Sequence, residues 1–471
     1  MKIALVYPPV SPEDLAGKTA SMKAVINVVQ PLGIAYIAAV LEREGYEVKL
    51  YDCSLGTSAP ELLDLLRREQ PEVVGISSTT PAFPTSKAVA TRLKEVLPKT
   101  VILIGGPHVT AAPVQTMASH CFDVGVIGEG EITALELVQQ MEKGGLSDLA
   151  TIKGIAYREN GRVTLTPPRP FITDLDSLPF PARHLLPPLS QYKPTPASYR
   201  KLPVGVVMTS RGCPSGCTFC DRAIFGRRWR ARSADNVLGE IELLVEKLGA
   251  REIRFFDDTF TLNQKRAFEI CDRLIKGKFK IPWTCLTRVD AVSIELLRHM
   301  KEAGCWQVLF GLESGDDRML KLLNKGSTVE KNERAVRLAQ EVGLSVRGDF
   351  IIGTPGETRE SMQRTLNFTK SLKLDYAHFN KFVPFPGTAL YERLVGEGYD
   401  FDVNEMPSIL DHSAILYVPE GMTKEEFQTF LDQANREFYL RPSHILRRLV
   451  RTRSWDELMG QIRGFFAIWR L

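Results

Sequence analysis

The chain has 471 residues, of which 44% are hydrophobic and 25% are charged. This balance is typical of soluble globular protein, and the length predicts about two or three domains rather than one core. Eight cysteines are too few for a disulfide scaffold, no apolar run reaches the roughly 18 residues of a membrane span, and a net charge of +4 does not predict a nucleic-acid-binding protein. The opening MKIALVYPP lacks the features of a signal peptide, so we expect a cytoplasmic location.

Residues 1–148 alternate strand-like runs (KIALVY, EVKLY, EVVGIS, TVILIG and DVGVI) with helical patterns. This alternation predicts a doubly wound, parallel α/β sheet of the Rossmann-like kind. Ligands bind such sheets outside the carboxyl ends of the strands. Three loops fall at those ends, and for each of them an ordinary structural turn is the alternative to a ligand site. Their candidate residues are Ser78 and Thr79, then Gly105, Gly106, Pro107 and His108, then Gly128, Glu129 and Gly130.

Three further regions follow the first domain. Residues 149–203 begin with a hairpin-like segment that turns at 159–161 and continue with ten prolines between 167 and 203. This proline density excludes regular helices and central strands, so it predicts an ordered connector. In residues 204–396 strands and helices alternate again, which predicts a second α/β domain. Residues 397–471 are largely helical in pattern and rich in arginine.

Cys213, Cys217 and Cys220 lie in RGCPSGCTFCDR with the spacing C-x3-C-x2-C. Iron–sulfur clusters are held by cysteine thiolates, four for a fully ligated 4Fe–4S cube, so three cysteines would leave one iron open. Structural zinc needs four ligands, and the next cysteine, Cys271, has no histidine beside it. We therefore predict a 4Fe–4S cluster on these three residues.

With Phe219 directly before the third cysteine, this motif resembles that of the radical S-adenosylmethionine (SAM) enzymes. The resemblance implies that the open iron binds SAM and that an electron from the cluster releases a 5′-deoxyadenosyl radical, which removes a hydrogen atom from the substrate. It also implies a partial (β/α)6 barrel over residues 204–396. An external electron donor such as flavodoxin or ferredoxin would then be a partner.

The ends of the second and third strands of this region carry charged residues that could hold SAM. Asp257 and Asp258 could accept hydrogen bonds from the SAM ammonium group or cap the following helix, and we expect one of each. Arg288 could pair with the SAM carboxylate in a charge-assisted bond. A salt bridge from Arg288 to Asp290 is the alternative.

The later strand ends continue the resemblance. Glu313, in GLESG, could accept hydrogen bonds from the ribose hydroxyls or the methionyl part of SAM. The segment GDFIIGTPGET at 348–358 resembles the adenine-binding segment of the family, in which Gly353 and Gly356 would permit backbone contacts to the base. FVPFPGT at 382–388 resembles the segment that closes the sixth strand.

The first domain resembles the cobalamin-binding domain of many radical SAM enzymes, through YPP, PLGIAYIAAVLEREGYEV and the three loops. The resemblance implies that these loops hold cobalamin. However, the D-x-H-x-x-G motif that supplies a histidine ligand to cobalt in some of these domains is absent after the first strand. His108 is therefore either a contact of cobalamin or a loop histidine bonded to backbone.

The tail carries most of the positive charge, with eight arginines against three acidic residues between 436 and 471. Arginines mixed with Leu, Ile, Phe and Trp are typical of helices that lie in a membrane interface. The alternative is a helix that packs on the barrel with its arginines in solvent. The first interpretation predicts a protein that associates with membranes.

These features favour a cobalamin-dependent enzyme that methylates an unactivated carbon of an apolar or lipid-like small molecule. The first alternative is radical cyclisation or C–C bond formation on a tetrapyrrole or isoprenoid lipid. The second is a non-catalytic cobalamin or redox sensor. A sensor is the weaker hypothesis, because a fully ligated cluster would suit electron transfer better than an open iron.

Overall fold

The computed structural model describes residues 1–9, 27–452 and 454–469, in which two large sheets dominate. The first sheet has the order β2-β1-β3-β4-β5-β6-β7, with β1 to β5 parallel and the predicted hairpin added as two antiparallel strands. The predicted doubly wound sheet is thus confirmed. Its strands are β1 Lys2–Tyr7, β2 Glu47–Asp52, β3 Val73–Ser77, β4 Val101–Gly105, β5 Val124–Val126, β6 Ile155–Glu159 and β7 Arg162–Leu165.

Helices cover both faces of this sheet, which explains why its parallel strands are continuous apolar runs. These helices are α1 Leu32–Arg43, α2 Ala59–Glu69, α3 Phe83–Val96, α4 Pro107–Ala111, α5 Pro113–Met117 and α6 Gly130–Gly144. On one face Leu5 shares a core with Ala35 and Ala38 of α1, and on the other Ile76 shares a core with Phe83 of α3.

The second sheet has six parallel strands in the order β15-β14-β13-β12-β11-β8, and a short ribbon, β9 with β10, follows its first strand. Within the described residues β8 and β15 do not pair, so the sheet stays open, as expected of a partial barrel. The strands are β8 Val204–Val207, β9 Ser210–Arg211, β10 Arg230–Ala231, β11 Glu252–Phe255, β12 Trp283–Thr287, β13 Cys305–Glu313, β14 Ser345–Ile352 and β15 Tyr376–Lys381.

Seven helices connect or follow these strands: α7 Ala234–Glu246, α8 Gln264–Lys276, α9 Ile294–Glu302, α10 Asp317–Leu322, α11 Val329–Glu341, α12 Arg359–Ser371 and α13 Ala389–Gly396. Phe255, Trp283 and Phe310 lie in the core beneath them. Because side chains alternate along a strand, the neighbouring residues Arg254 and Arg347 point to the opposite face. The part of the barrel interior that these two residues line is therefore charged.

The tail forms α14 Lys424–Tyr439, α15 Pro442–Arg451 and α16 Trp455–Trp469. Three of its arginines, Arg436, Arg451 and Arg463, are exposed, as the packed-helix interpretation expects, whereas two others turn inward. Arg447 donates to the Leu374 carbonyl oxygen over 2.8 Å, and the buried Arg448 donates to Glu457 over 2.9 Å. These groups turn inward because the barrel offers them acceptors, and Leu446 and Val450 are left 66% and 77% exposed.

Among the helices of the described ranges, none has both the length and the apolar character that crossing a bilayer requires.

Candidate functional site

The three predicted cluster ligands lie on the loop between β9 and β10. Gly212 starts this loop at φ 85°, and a Cβ there would lie 2.5 Å from the Arg228 carbonyl oxygen, so the close return of the chain requires glycine. Cys217 is buried, Cys213 is partly buried and Cys220 is exposed. The short ribbon thus presents all three thiols on one loop beside the carboxyl end of β8.

Each thiol has a distinct neighbour. The Cys213 Sγ lies 4.0 Å from Thr259 Oγ1, and the Cys217 Sγ accepts from Arg288 Nη1 over 3.7 Å. The exposed Cys220 Sγ lies 3.6 Å from the Asp221 carbonyl oxygen. Within the described residues no three His, Cys, Asp or Glu side chains are already arranged as a metal site, so the cluster assignment stays a prediction.

Asp257 fixes the entry to this loop. It is buried and accepts from the Thr209 backbone N–H over 2.6 Å and from Ser210 Oγ over 2.6 Å. Asp258 accepts from the Gly212 backbone. The expected helix cap is wrong, because the side chain of Asn263, not of either aspartate, accepts at the N-cap of α8. Asp258 remains the carboxylate predicted to bind the SAM ammonium group.

Arg288 forms the salt bridge given above as its alternative. Its Nε and Nη2 donate to Asp290 over 2.9 and 2.7 Å, and Nη2 also donates to the Lys325 carbonyl oxygen over 2.7 Å. The same guanidinium reaches Cys217 through Nη1. Pairing of Arg288 with a SAM carboxylate stays a prediction, and the structure shows that Asp290 already orients the guanidinium.

Glu313 ends β13 at φ 61°, a strained conformation for a residue with a side chain. Its buried carboxylate accepts from Lys325 Nζ over 2.7 Å. Lys325 is also buried and lies 5.9 Å from the centre of the Phe219 ring. Phe219 packs at the edge of a cluster that includes Phe382. These contacts place a carboxylate and an ammonium group beside the cluster loop.

The predicted adenine-binding segment forms a tight turn after β14. Glu357 shapes the turn by accepting from the backbone N–H groups of Gly353 and Thr354 over 2.7 and 3.0 Å. The Gly356 carbonyl oxygen accepts from Arg318 over 2.9 Å. Burial raises the pKa of Glu357 to about 7. Adenine contacts of Gly353 and Gly356 stay a prediction.

The three loops predicted to hold cobalamin meet at the carboxyl edge of the first sheet. The Ser78 backbone N–H donates to the Gly105 carbonyl oxygen over 2.9 Å, and the His108 N–H donates to the Ser78 carbonyl oxygen over 3.2 Å. The Gly128 N–H donates to Thr110 Oγ1 over 3.1 Å. Thr79, Pro107 and Gly130 begin the elements that follow these strands.

His108 is buried and stacks on Phe83 with ring centres 4.0 Å apart. Its Nε2 lies 3.2 Å from Asn404 Oδ1, so the predicted bond to backbone is replaced by a side-chain partner from beyond the barrel. Burial lowers the pKa of this imidazole to about 4, which keeps it neutral. Nδ1 is without a partner among the described residues.

Glu129 has a role that the sequence did not indicate. Its carboxylate accepts from Arg211 over 2.8 Å, from Arg230 over 2.7 Å and from the Ile172 backbone N–H over 2.8 Å. Arg211 also donates to Glu131 over 2.6 Å. Both arginines flank the cluster loop, so these buried ion pairs join the crevice of the first sheet to that loop. A contact between Glu129 and cobalamin stays a prediction.

The segment at 382–388 lies at the same junction. A Cβ on Gly387 would lie 3.1 Å from Asp221 Oδ1, next to the third cysteine, and 3.3 Å from Ala111 Cβ at the end of α4. The carboxyl edge of the first sheet therefore meets the cluster loop and the end of the sixth barrel strand. The predicted sites for cobalamin and SAM face each other at this junction.

The residues present fit both predicted groups. Three thiols next to Arg288 and Lys325 suit an anionic iron–sulfur cluster, since cations nearby favour thiolates. In the crevice, a Cβ on Gly128 would meet no atom within 4 Å, which leaves room for a bulky ligand, whereas a Cβ on Gly106 would lie 2.8 Å from the Ser78 carbonyl oxygen. Close packing thus fixes the loop at Gly106, while the loop at Gly128 has open space beside it.

Below this junction, the barrel interior and the tail enclose a cavity of about 600 Å³. Arg254, Arg347 and His378 contribute from the strands, and Leu449 and Phe466 from α15 and α16. Sequence reasoning missed these strand residues, as it missed Lys325 and Arg211. Two features of the sequence could have pointed to them. Arg211 lies just before Cys213, and Arg254, Arg347 and His378 are polar side chains within otherwise apolar strands.

Two family models match the chain: the radical SAM superfamily over residues 207–369 and the B12 binding domain over residues 21–138. An uncharacterized methyltransferase of Pyrococcus horikoshii is 38% identical over 473 residues, which cover 100% of this chain and 99% of that one. The anaerobic magnesium-protoporphyrin IX monomethyl ester cyclase of Rubrivivax gelatinosus is 29% identical over 446 residues, which cover 92% and 78%.

A solved structure of the radical SAM methyltransferase TsrM from Kitasatospora setae, with cobalamin and a 4Fe–4S cluster bound, has a TM-score of 0.72. It covers 100% of this chain and 98% of its own at 18% identity, so the likeness shows the fold.

Proposed function

The chain belongs to the cobalamin-dependent radical SAM enzymes, and from this premise we propose that it methylates an unactivated carbon of an apolar substrate. Its cofactors are a 4Fe–4S cluster, SAM and cobalamin. When bound, the cluster and SAM supply a 5′-deoxyadenosyl radical that removes a hydrogen atom, and cobalamin supplies the methyl group that replaces it.

One observation carries the proposal of methyl transfer. Arg211 and Arg230, on either side of the cysteine loop, both pair with Glu129 on the crevice of the B12-binding domain. A substrate at this junction would meet the source of the radical from one side and the source of the methyl group from the other. Methylation requires both groups to reach one carbon.

In the proposal each protein group has a defined task. Cys213, Cys217 and Cys220 hold the cluster, and Asp257 keeps the start of their loop in place through Thr209 and Ser210. Asp258 accepts from the SAM ammonium group and Arg288 donates to the SAM carboxylate. A low-potential protein such as flavodoxin or ferredoxin delivers the electron.

The remaining SAM contacts come from the later strand ends. Glu313 accepts from the ribose hydroxyls, and Lys325 balances its charge. The turn that Glu357 shapes contacts adenine through Gly353 and Gly356. The crevice loops with Ser78, Gly105 and Gly128 surround cobalamin.

An apolar substrate is supported by the cavity of about 600 Å³ below the junction. Ile409, Leu410, Ile445, Leu458 and Ile462 are among its lining residues, and burial of apolar ligand surface against such side chains is favourable by about 25 cal/mol per Å². The tail helices that form this wall leave Leu446, Val450 and Trp455 exposed on their outer side. We propose that these residues contact a membrane surface from which an apolar substrate enters.

Radical cyclisation is the second candidate function, because the relative from Rubrivivax gelatinosus is a cyclase. The two candidates differ in what happens to SAM. Methylation uses SAM both as radical source and as methyl donor, so it yields 5′-deoxyadenosine and S-adenosylhomocysteine. Cyclisation yields 5′-deoxyadenosine alone.

The test is an anaerobic assay of reconstituted protein with SAM, cobalamin and dithionite. We expect both 5′-deoxyadenosine and S-adenosylhomocysteine from the wild-type protein, and no 5′-deoxyadenosine from the Cys213→Ala variant. Formation of 5′-deoxyadenosine without S-adenosylhomocysteine would favour cyclisation. Absence of both products from the wild-type protein would leave only the sensor hypothesis.

A further inference from the structure

The cavity inside the barrel has two chemically different halves. Strands β11, β14 and β15 contribute polar residues, among them Arg254, Arg347, Asp349 and His378. Helices α15 and α16 contribute mainly apolar residues, together with His444, Arg448 and Gln461. At about 600 Å³ the cavity falls within the range of roughly 300–1,000 Å³ that is typical of small-molecule sites. A ligand that fills it therefore needs one polar end and one apolar end.

The charges in the polar half do not cancel. Among the described residues, Asp349 is the only acidic one that lines the cavity, and both of its oxygens accept from Arg347, over 2.8 and 3.1 Å. Arg448 is paired outside the cavity, with Asp375 at 3.5 Å and Glu457 at 2.9 Å. Burial lowers the pKa of His378 to about 3, so its imidazole is neutral.

Arg254 is the cation that remains. It donates to two neutral groups, Ser198 Oγ over 3.0 Å and Asn27 Oδ1 over 3.2 Å, and within the described residues it has no ion-pair partner. Burial and the nearby Arg347 guanidinium lower the pKa of Arg254, whereas the charges of Asp349 and Glu252 raise it. The guanidinium also lies 4.9 Å from the centre of the Phe256 ring, but no carboxylate is within ion-pair distance among the described residues. An anionic group bound beside Arg254 would neutralise the cavity.

The apolar half opens at the surface of the tail. Leu449, Ile462, Phe465 and Phe466 line the cavity and are also 53%, 39%, 37% and 54% exposed. These four side chains therefore border both the cavity and the outer surface of α15 and α16. The long part of an amphipathic ligand could lie along these side chains while its charged end reaches Arg254.

On these grounds we infer that the cavity binds an amphipathic substrate whose anionic group pairs with Arg254 and whose apolar part lies against α15 and α16. The inference rests on the proposed function, to which it adds the chemical class of the substrate. A guanidinium binds carboxylate and phosphate oxygens equally well by geometry, so the shared chemistry is an anionic oxygen group on an apolar chain.

The test measures binding of dansyl-undecanoate and of its uncharged methyl ester to the anaerobically reconstituted protein by fluorescence titration. A charge-assisted hydrogen bond is stronger than a neutral one, so we expect the acid to bind about tenfold more tightly than the ester, a difference of about 1.4 kcal/mol. Competition by decanoate and by decyl phosphate distinguishes a carboxylate from a phosphate. Equal binding of acid and ester, or binding of neither, would overturn the inference.

Two variants locate the site. Arg254→Gln removes the cation and is expected to abolish the preference for the acid, while Arg337→Gln, at a side chain 67% exposed on α11, retains it. If Arg254→Gln does not fold, Asp349→Asn decides the matter: it frees Arg347 and is expected to tighten binding of the acid severalfold without changing binding of the ester. An unchanged preference in Asp349→Asn, or an intact one in Arg254→Gln, would contradict the assignment.

These measurements need no turnover, so they separate the two proposals. Absence of an acid preference in the wild-type protein would remove the substrate class and leave methyl transfer untouched. Failure to form S-adenosylhomocysteine in the anaerobic assay would remove methyl transfer and leave the anion site in place.

Discussion

The Arg211 guanidinium donates to the Glu129 carboxylate over 2.8 Å, and both side chains are buried. Glu129 lies on the crevice of the B12-binding domain, and Arg211 lies two residues before the first cysteine of the cluster motif. Arg230, on the other side of the cysteine loop, pairs with the same carboxylate. Glu129, together with Glu131, which also pairs with Arg211, thus fixes the cluster loop against the B12-binding domain.

We expect Glu129→Gln to lower the free energy of unfolding by about 3–5 kcal/mol, because it leaves the buried Arg230 guanidinium without its carboxylate partner and leaves Arg211 with Glu131 alone. The matched control is Glu136→Gln, whose carboxylate is 42% exposed and pairs with Arg169, and for which we expect about 1 kcal/mol or less. Urea unfolding followed by circular dichroism measures both. Equal losses in the two variants would show that the ion pairs of Glu129 do not hold the domains together.

For Glu313→Gln we expect the KM for SAM to rise about tenfold, since a carboxylate that accepts from a ribose hydroxyl contributes about 1.5 kcal/mol or more. The readout is the initial rate of 5′-deoxyadenosine formation at varied SAM. Glu333→Gln, on the outer helix α11 with a side chain 48% exposed, is the control. An unchanged KM together with lower stability would confine Glu313 to its pair with Lys325.

The free energy of unfolding should depend on pH because of the raised pKa of Glu357. Its folded pKa of about 7 lies above the ordinary value of 4.5, so the folded state binds more protons than the unfolded state between these values. The free energy of unfolding therefore falls as pH rises through this window. From pH 4.5 to 7.5 we expect the wild type to lose about 3 kcal/mol relative to Glu357→Gln. If the free energies of unfolding of the two proteins changed equally with pH, burial would not raise the pKa of Glu357.

Much of this arrangement could be predicted from the sequence. Strand and helix periodicity is local, so both parallel sheets follow from it, and the carboxyl ends of parallel strands bring the three crevice loops together. The cysteine triplet is equally local. In contrast, Arg211 and Glu129 are separated by 82 positions in the chain, and no local pattern indicates that two charges so far apart become a buried pair.

The tail shows a second limit. An amphipathic pattern over 442–451 indicates that a helix has two faces but not which face is covered. Arg448 turns inward because it pairs there with Asp375 and Glu457. Asp375 is distant from the tail in the sequence, so the local pattern could not indicate this pair. The aspartates show the same limit: Asp257 serves the backbone of the loop because Thr209 and Ser210 approach it only after folding.

The exposed apolar residues of the tail lead to a prediction about membranes. We expect the protein to pellet with phosphatidylglycerol vesicles at low salt and the Val450→Glu, Trp455→Glu double variant to stay in the supernatant, because it places two charges in residues that are 77% and 72% exposed. Val96→Glu, Val114→Glu, with side chains 44% and 50% exposed on the first domain, is the control. Equal sedimentation of the wild type and the tail variant would exclude this contact.

The most direct test of the account concerns the cluster itself. Electron paramagnetic resonance of the anaerobically purified and reduced protein, recorded with and without SAM, detects whether an open iron binds SAM. We expect a 4Fe–4S signal that SAM changes in the wild type, no such signal in the Cys213→Ala, Cys217→Ala, Cys220→Ala variant, and a wild-type response in the control Cys121→Ser. A wild-type protein without iron, or a cluster signal that SAM leaves unchanged, would contradict the account.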